Sequence, residues 1–405
     1  MKIAMIAAHS CPVGELGAKD TGGMSVYIRE LSRELGKLGH TVDIFTRVHD
    51  PADPVLENLG EGVRLIHIKA GQEAKINKME VFGYLPEFTR NLEAFRCNNN
   101  LDYDLIFSHY WMSGLVAQKL QARWRAPHVV MFHTLGAVKN AIGIGENDPA
   151  LRIAAERELI ARCQCVIAPT VRGKEELEQY YNADPGKISI IPCGVNMDLF
   201  KPVSREIARQ KLGLTGEKIL LFVGRLDPLK GAERLLEAVT YLDDYKSLKL
   251  VLIGGDESSR GEIERMQTMC VELGISGKVQ FRGTVKQVDL PDYYSAADVC
   301  VVPSYYESFG LVPLEALACG TPVVVADIAE VKNFILTGKT GCVVRTNMPQ
   351  NLARGIRQVM NHHSYAIEVA LAVRESVRRY SWENVAGGII REFNSVLAHW
   401  MLPVA

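Results

Sequence analysis

The 405-residue sequence lacks the features that would assign it to several special classes of protein. Its nine cysteines form no CxxC pair, so neither a disulfide framework nor a zinc knuckle is indicated, and free thiols favour a reducing compartment, here the cytoplasm. No apolar run approaches the length of about eighteen residues that a membrane helix needs. A formal net charge of −1 gives no sign of binding to nucleic acid or to an acidic membrane. We therefore expect a soluble globular protein.

What the sequence does contain is an alternation of short runs rich in valine and isoleucine with longer helical patterns. This alternation is typical of βαβ units, in which helices cover both faces of a parallel sheet. Seven runs predict strands in the first half of the chain, at residues 3–8, 42–45, 63–68, 105–108, 129–132, 166–168 and 188–191. Six more predict strands in the second half, at residues 219–223, 250–253, 279–281, 299–302, 322–325 and 342–344.

A stretch without periodicity, bounded by Pro192 and Pro202, predicts a linker, and the chain length also favours two domains. We predict one doubly wound α/β domain over residues 1–195 and a second over residues 196–381, facing each other across a cleft. The amphipathic pattern within residues 382–405 predicts a final helix that crosses back to the first domain. Because ligands of such folds bind at the carboxyl ends of the strands, residues that follow the predicted strands are the candidates for a functional site.

The strongest functional signal is the segment Tyr-Glu-Ser-Phe-Gly-Leu-Val-Pro-Leu-Glu-Ala at residues 306–316. Pro313 suits the first turn of a helix and Gly320 suits its exit, so we predict a helix that opens near Phe309. The first backbone N–H groups of this helix and the positive end of its dipole would bind a diphosphate. The amides predicted to do so belong to Phe309, Gly310 and Leu311.

Two glutamates of this segment stand eight residues apart. Glu307 falls in the loop before the helix, where a carboxylate accepts hydrogen bonds from sugar hydroxyls. Glu315 falls on the helix, about two turns further along, and is predicted to bind a ribose diol. The pair alone is a weak signal, and the glycines and prolines around it make the motif specific.

Two cations follow the predicted strand at residues 219–223. Arg225 and Lys230 lie in the string Gly-Arg-Leu-Asp-Pro-Leu-Lys-Gly. A guanidinium fork and a point charge that converge on a diphosphate can replace a magnesium ion. No Asp-x-Asp pair stands in a loop suited to bind such an ion, so we expect no metal and no other cofactor.

Residues after strands of the first domain complete the candidate site. Gly22 and Gly23 follow the first strand, and a double glycine lets the backbone approach a phosphate closely. His109 and His133 follow two other strands, which would place both on one rim of the cleft. We predict a functional role for His133 and leave the role of His109 open.

With these motifs together, the sequence resembles the retaining glycosyltransferases of family 4, whose Glu-x7-Glu signature is matched by Glu307 and Glu315. The resemblance extends over essentially the whole chain and implies the GT-B fold, in which two Rossmann-like domains face a cleft. It implies a nucleoside-diphosphate sugar as the donor substrate, with UDP-glucose or UDP-N-acetylglucosamine favoured. In that family the positions of Arg225 and Lys230 stabilise the leaving nucleotide, the glycine pair closes over the donor's distal phosphate, and His133 touches the transferred sugar.

A narrower resemblance concerns the acceptor. Residues 108–111 and 133–140 are similar to a branch of the family that joins N-acetylglucosamine to inositol phosphate and, more distantly, to sucrose-phosphate synthases. In the first branch a lysine, a tyrosine, a threonine and an arginine hold the phosphate of the acceptor. The matching residues here are Lys78, Tyr110, Thr134 and Arg152. Ser25 replaces an acceptor-binding asparagine, and Ala329-Glu330 replaces a common glycine pair, so the identity of the acceptor stays open.

The resemblance implies transfer of a hexosyl group, with retained configuration, to a small polar acceptor that we expect to be phosphorylated. A sucrose-phosphate synthase-like enzyme that uses UDP-glucose is one alternative. Two other classes of function also stay open, because one fold hosts several activities: a nucleotide-sugar epimerase, and a nucleotide-sugar-binding protein without activity. A homodimer is the default expectation for such an enzyme.

Overall fold

The computed structural model describes residues 1–14, 22–214, 218–327, 335–336, 338–362 and 367–401. Over these residues the chain forms two α/β domains, each built on one sheet. The Asp20-Thr21 pair that precedes Gly22 in the sequence and the pair Ala329-Glu330 lie outside the described residues. In the part of the chain that is described, no helix is long and apolar enough to cross a bilayer.

The described strands of the first domain form one sheet. They are β1 (Lys2–Ile6), β2 (Thr41–Arg47), β3 (Leu56–Gly60), β4 (Val63–Ile68), β5 (Leu105–His109), β6 (His128–Met131), β7 (Cys165–Ala168) and β8 (Ile188–Ile190). Their order across the sheet is β3-β4-β2-β1-β5-β6-β7-β8, and all neighbours are parallel except β3 and β4. Along β1, Ile3 and Met5 enter one apolar cluster while Ala4 and Ile6 enter another. Both faces of the sheet are therefore covered, which is why its strands have continuous apolar sequences.

The described strands of the second domain form a smaller sheet that is parallel throughout. They are β9 (Lys218–Val223), β10 (Leu248–Ile253), β11 (Val279–Phe281), β12 (Val299–Val302), β13 (Val323–Ala326) and β14 (Gly341–Val344), in the order β11-β10-β9-β12-β13-β14. Each of the thirteen predicted strands is present, with ends that differ by at most two residues from the prediction. The predicted two-domain α/β fold is confirmed, and β3 is the described strand that the sequence analysis missed.

Helices connect most consecutive strands. In the first domain they are α1 (Gly23–Lys37), α2 (Lys78–Asn98), α3 (Tyr110–Trp124), α4 (Gly136–Ile142), α5 (Ala150–Arg162) and α6 (Val171–Tyr181). The later ones are α7 (Arg205–Leu212), α8 (Ala232–Val239), α9 (Arg260–Glu272), α10 (Leu290–Ala296), α11 (Leu311–Ala318), α12 (Pro349–His362), α13 (Ile367–Glu375) and α14 (Trp382–Trp400). The helix predicted to open near Phe309 is α11, and it begins two residues later because Gly310 has φ +100°, which is not a helical angle.

The last helix, α14, returns to the first domain as predicted. The ring of Trp382 meets the edge of Tyr27 in α1 with ring centroids 5.4 Å apart, and Phe393 meets Phe107 of β5 at 5.3 Å. Ile389 lies one turn before Phe393 on the same buried stripe. The first domain therefore shares its core with the end of the chain, and two separate segments connect the domains.

Candidate active site

Loops that follow strands of the two sheets meet between the domains. Gly23 opens α1, and Cδ1 of Leu311 in α11 lies 3.3 Å from the point where a Cβ on residue 23 would stand. On the same side of the second domain, the hydroxyl of Tyr306 donates a 3.5 Å hydrogen bond to Oε2 of Glu176 in α6. A side chain at residue 23 would press on Leu311, which explains a glycine there. The predicted glycine pair and the predicted diphosphate helix thus lie on opposite walls of one cleft.

The N-termini of α1 and α11 are both suited to an anion. Gly22 is the N-cap residue of α1 and Gly310 is that of α11, and within the described residues no side chain caps either first turn. Gly310 has a positive φ, a conformation that favours glycine. The first amides of a helix have no intrahelical partner, and the dipole adds positive potential. Two uncapped helix ends that face one another across the cleft can hold a diphosphate.

Lys230 and Glu307 form an ion pair on the wall of the second domain. Nζ of Lys230 lies 2.7 Å from Oε1 of Glu307, and the same oxygen accepts a 2.8 Å hydrogen bond from the hydroxyl of Ser304. Lys230 ends a short turn that Asp227 caps through the backbone N–H of Leu229. The sequence predicted both charged residues, and the structure brings them together.

Arg225 lies on the same loop but makes a different contact. Its Nη2 atom is 3.5 Å from Oδ2 of Asp227, and its side chain is 39% exposed. Lys230, by contrast, is 24% exposed and points at Glu307. The predicted convergence of Arg225 and Lys230 on one diphosphate therefore stays a prediction, although one short loop carries both cations.

Glu315 is buried on α11 and accepts a 2.7 Å hydrogen bond from the hydroxyl of Tyr294. Burial raises the pKa of Glu315 to about 7, although hydrogen bonds from Tyr294 and Gln287 favour the carboxylate. Gln287 also accepts a hydrogen bond from Arg29 of the first domain. Arg29 in turn lies 3.1 Å from the neighbouring Glu30. A continuous polar chain therefore joins Glu315 to α1, and the sequence analysis did not find its members Gln287, Arg29 and Glu30.

The two predicted histidines of the first domain are in contact. Nδ1 of His109 and Nε2 of His133 are 3.0 Å apart, and the ring of Tyr27 meets the edges of both. Burial lowers the pKa of His133 to about 3, so the imidazole is neutral at physiological pH. His133 has φ +61°, an uncommon angle for a residue other than glycine, and such strain is concentrated at functional sites. His109 is fully buried beside His133, so it touches the cleft only through that ring, and its role stays open.

His9 belongs to the same region and was missed by the sequence analysis. Its ring lies 4.5 Å, between centroids, from the ring of Tyr110, and within the described residues its buried Nδ1 atom has no hydrogen-bond partner. Burial lowers the pKa of His9, and the nearby positive charges of Lys78 and Arg152 lower it further. His9 follows β1 just as His109 and His133 follow their strands, so the same argument applied to β1 would have found it.

The four residues predicted to bind an acceptor phosphate form one cluster, in which two cations lie at the ring of the tyrosine and the threonine contacts the arginine. Nζ of Lys78 lies 5.9 Å from the centroid of Tyr110, and Cζ of Arg152 lies 4.7 Å from it. Thr134 adjoins Arg152, with 3.1 Å between Oγ1 and Nη2. Tyr110 has φ +74°, a second strained residue at a strand end. The structure therefore brings these four residues together, and their binding of a phosphate stays a prediction.

Arg152 is largely committed to other partners. Its guanidinium donates to Glu156 at 2.7 Å, to Asp148 at 2.7 Å, and to both oxygens of Thr134 at 2.7 and 3.1 Å. Four of the five N–H donors of the arginine are thus in use. Arg152 orients Thr134 and supplies positive charge, and Lys78, at the first turn of α2, supplies the second cation of the group.

The two domains are Rossmann-like, and the N-terminus of α11, suited to a diphosphate, faces the buried pair of His109 and His133. This is the architecture of the GT-B glycosyltransferases. Residues 21–199 match the family model described as Glycosyltransferase Family 4, and residues 204–375 match the one described as Glycosyl transferases group 1. The chain belongs to glycosyltransferase family 4. It is therefore an enzyme of the transferase class, and the epimerase and the inactive binding protein are no longer needed as alternatives.

Relatives are similar to the chain over nearly its whole length. It is 38% identical to the D-inositol 3-phosphate glycosyltransferase of Corynebacterium urealyticum, over 98% of this chain and 96% of the relative. It is 36% identical to D-inositol 3-phosphate glycosyltransferase 2 of Catenulispora acidiphila, over 95% of this chain and 92% of the relative. Among solved structures, sucrose-phosphate synthase from Thermosynechococcus elongatus superposes with a TM-score of 0.90 at 32% identity, covering 98% of this chain and 99% of that one.

Proposed function

We propose that this protein is a retaining glycosyltransferase that moves a sugar from a UDP-sugar to a small phosphorylated polyol or sugar, without a metal ion in the chemical step. The observation that carries the proposal is the group of Lys78, Arg152 and Thr134 around Tyr110. Two cations and two hydroxyl groups suit a phosphate monoester. This anion site stands on the first domain, whereas the donor residues stand on the second.

On the donor side, Glu315 binds the ribose diol and Glu307 binds hydroxyl groups of the sugar. The N-terminus of α11, with the amides near Phe309, Gly310 and Leu311, holds the diphosphate together with Lys230. Arg225 joins them when the nucleotide is present. Fixed dipoles and cations stabilise charge as it develops on the leaving diphosphate, which is the role that a metal ion plays in other enzymes.

In the transfer step, the bond between the anomeric carbon and the diphosphate oxygen breaks, and a bond to the acceptor hydroxyl forms on the same face of the sugar. The acceptor's proton passes to the departing phosphate oxygen. His133 contacts the sugar as a neutral imidazole. Asp148 and Glu156, the carboxylates beside Thr134, are both held by Arg152, so we assign neither as a nucleophile.

Two acceptors have specific support. The relatives named D-inositol 3-phosphate glycosyltransferases favour an inositol phosphate, and N-acetylglucosamine as the transferred sugar is consistent with that branch. The similarity to a sucrose-phosphate synthase favours a hexose phosphate such as fructose 6-phosphate, with UDP-glucose as the donor. We place the protein in a reducing cytoplasm, since its nine cysteines are all free, and as a homodimer, which sedimentation would test.

The test is nucleotide release, with EDTA present, from UDP-glucose and UDP-N-acetylglucosamine crossed with inositol phosphate, fructose 6-phosphate, glucose 6-phosphate and their unphosphorylated forms. We expect release that depends on a phosphorylated acceptor and a product that keeps the α configuration by NMR. Turnover restricted to unphosphorylated acceptors would remove the anion site from the mechanism. Turnover restored only by added magnesium would contradict the role given to Lys230.

A further inference from the structure

A second cluster of chemically reactive side chains lies in the first domain, apart from the residues assigned to the cleft. Cys11 follows β1, His49 follows β2, and His67 lies near the end of β4. These strands are neighbours in the order β4-β2-β1, so their carboxyl ends adjoin. One sulfur and two imidazole nitrogens all lie within 4.8 Å of one another. Such a donor set suits zinc or a similar transition metal.

The spacing of the donor atoms fits a tetrahedral metal ion. The Sγ atom of Cys11 lies 3.7 Å from Nε2 of His67. In a tetrahedral site with zinc–sulfur and zinc–nitrogen bonds of about 2.3 and about 2.0 Å, these two atoms would stand about 3.5 Å apart. This pair of atoms therefore needs little rearrangement to bind one ion, and the nitrogen of His49 lies within 4.8 Å of both. A water molecule would take the fourth position, because His49 is the partly exposed member of the group.

A hydrogen bond behind the imidazole of His67 turns its free nitrogen toward the cluster. Nδ1 of His67 lies 2.7 Å from the backbone oxygen of Pro54, and since a carbonyl only accepts, this nitrogen carries the proton. Nε2 of His67 is then a lone-pair donor that faces Cys11. Such partners on the second nitrogen are typical of metal-binding histidines.

Asp53 plays the corresponding part for His49. One carboxylate oxygen of Asp53 lies 2.8 Å from Nδ1 of His49, although this contact is not aligned as a hydrogen bond. The same oxygen accepts the backbone N–H groups of His49 and Asp50 at 2.8 and 3.0 Å. The carboxylate is therefore fixed before any ion arrives, and a small rotation of the His49 ring would complete the arrangement of carboxylate, histidine and metal.

We propose that Cys11, His49 and His67 bind one zinc-like transition-metal ion, with Asp53 as the carboxylate that orients His49. On binding, the Cys11 thiol loses its proton to solvent and a sulfur–metal bond forms. The charge of the ion is reduced by the thiolate, and Asp53 offsets part of the rest. No oxidation or reduction is involved.

The position suggests a structural effect on the cleft. Cys11 stands eleven residues before Gly22, and His67 stands eleven residues before Lys78. An ion bound here would hold together the strand ends that precede Gly22 and Lys78 in the chain. The inference does not depend on the proposed function, and it places the metal outside the chemical step, which we propose to be metal-free.

The experiment is a titration of the full-length, chelator-stripped and reduced protein with Co²⁺, followed by competition with Zn²⁺. We expect one Co²⁺ per chain, with a thiolate-to-cobalt charge-transfer band and the intense visible bands of tetrahedral cobalt, all displaced by zinc. Cys11→Ser should lose the charge-transfer band. Cys97→Ser, which changes an exposed cysteine of the same domain, should keep it.

A second variant, which leaves the buried ligands unchanged, distinguishes loss of metal binding from misfolding. Asp53→Asn keeps all three metal ligands and should weaken cobalt binding about tenfold to a hundredfold, with an unchanged circular dichroism spectrum. Zinc should raise the Tm of the wild-type protein and of Cys97→Ser but not that of Cys11→Ser. Absence of cobalt uptake by the wild type, or a charge-transfer band that survives Cys11→Ser, would show that Cys11 and His67 form only an ordinary buried hydrogen bond. Because the readout is absorbance, this result is independent of any transferase assay.

Discussion

The hydroxyl of Tyr294 donates a 2.7 Å hydrogen bond to Oε2 of Glu315, and both side chains are buried. Removing this hydroxyl with Tyr294→Phe leaves the carboxylate without one of its donors. A hydrogen bond to a charged group contributes about 1.5 to 3 kcal/mol, so we expect UDP to bind at least about tenfold more weakly at pH 8. Calorimetric titration measures this affinity. Tyr103→Phe, which removes a hydroxyl bound to Asp43 in the first domain, is the matched control and should bind UDP normally.

The affinity for UDP should depend on pH through Glu315. Because the pKa of Glu315 is raised to about 7, the side chain is mostly protonated below that pH and mostly ionised above it. A ribose diol donates hydrogen bonds, so it binds the carboxylate better than the acid. Affinity should fall by up to about tenfold per pH unit below pH 7 and level off above it. Glu315→Gln should bind UDP weakly, and its affinity should lack this dependence on pH. Equal pH profiles for the wild type and the variant would show that Glu315 is not the group responsible.

Lys230 is expected to act in the transition state more than in binding. Replacing it with Lys230→Met removes the cation that lies against Glu307 and, in our proposal, against the departing diphosphate. Loss of one such donor typically lowers kcat by about a hundredfold to a thousandfold. Lys211→Met, which removes an exposed lysine paired with Asp292 in the same domain, should leave kcat unchanged. A change confined to KM would instead make Lys230 a ground-state binding residue.

Lys78 should distinguish phosphorylated acceptors from unphosphorylated ones. Lys78→Met removes the cation 5.9 Å from the ring of Tyr110, so we expect kcat/KM for a phosphorylated acceptor to fall about tenfold to a hundredfold. The same ratio for an unphosphorylated acceptor should hardly change. Lys69→Met, at an exposed lysine paired with Glu73, is the control for the loss of a nearby charge. An equal loss of kcat/KM with both acceptors would show that Lys78 does not bind the phosphate.

The approach of Gly254 to the Arg225 loop should be essential for stability. A Cβ on residue 254 would stand 1.8 Å from the backbone oxygen of Gly224, and Gly254 has φ +136°. We expect Gly254→Ala to destabilise the second domain by about 3 kcal/mol or more, through strain and overlap. Calorimetry should show a lower Tm for this domain. Gly277→Ala, at a glycine whose Cβ would meet open space, should leave the Tm nearly unchanged.

The sequence was sufficient to predict the fold because buried parallel strands have a strong signature. All thirteen predicted strands formed, and α14 packed back on the first domain as its apolar stripe predicted. The missed strand, β3, has the sequence Leu-Glu-Asn-Leu-Gly and lies at the edge of the sheet. An edge strand is half solvated and does not need a continuous apolar run, so its sequence looked like a loop.

The candidate site was predictable where one short segment carries the chemistry. Glu307, Glu315 and Lys230 belong to local motifs with a recognisable spacing. Gln287 and Arg29 could not be found in this way, because they meet only when the two domains dock. The roles of the residues named for donor and acceptor stay predictions until the variants above are measured.

The proposed metal ligands also could not be found from a local sequence motif. Cys11, His49 and His67 are separated by 38 and 18 residues, which matches no local pattern for a metal site. A search for paired cysteines therefore indicated no zinc. Only the order of the strands brings these side chains together, and strand order is a property of the folded sheet.

The return of α14 to the first domain also has a consequence for biosynthesis. Tyr27 and Phe107 are synthesised long before their partners Trp382 and Phe393. During translation, the apolar face that α14 will cover stays open while the second domain is being made. The nascent first domain is therefore a natural client for chaperones, and its final packing has to wait until α14 has been synthesised.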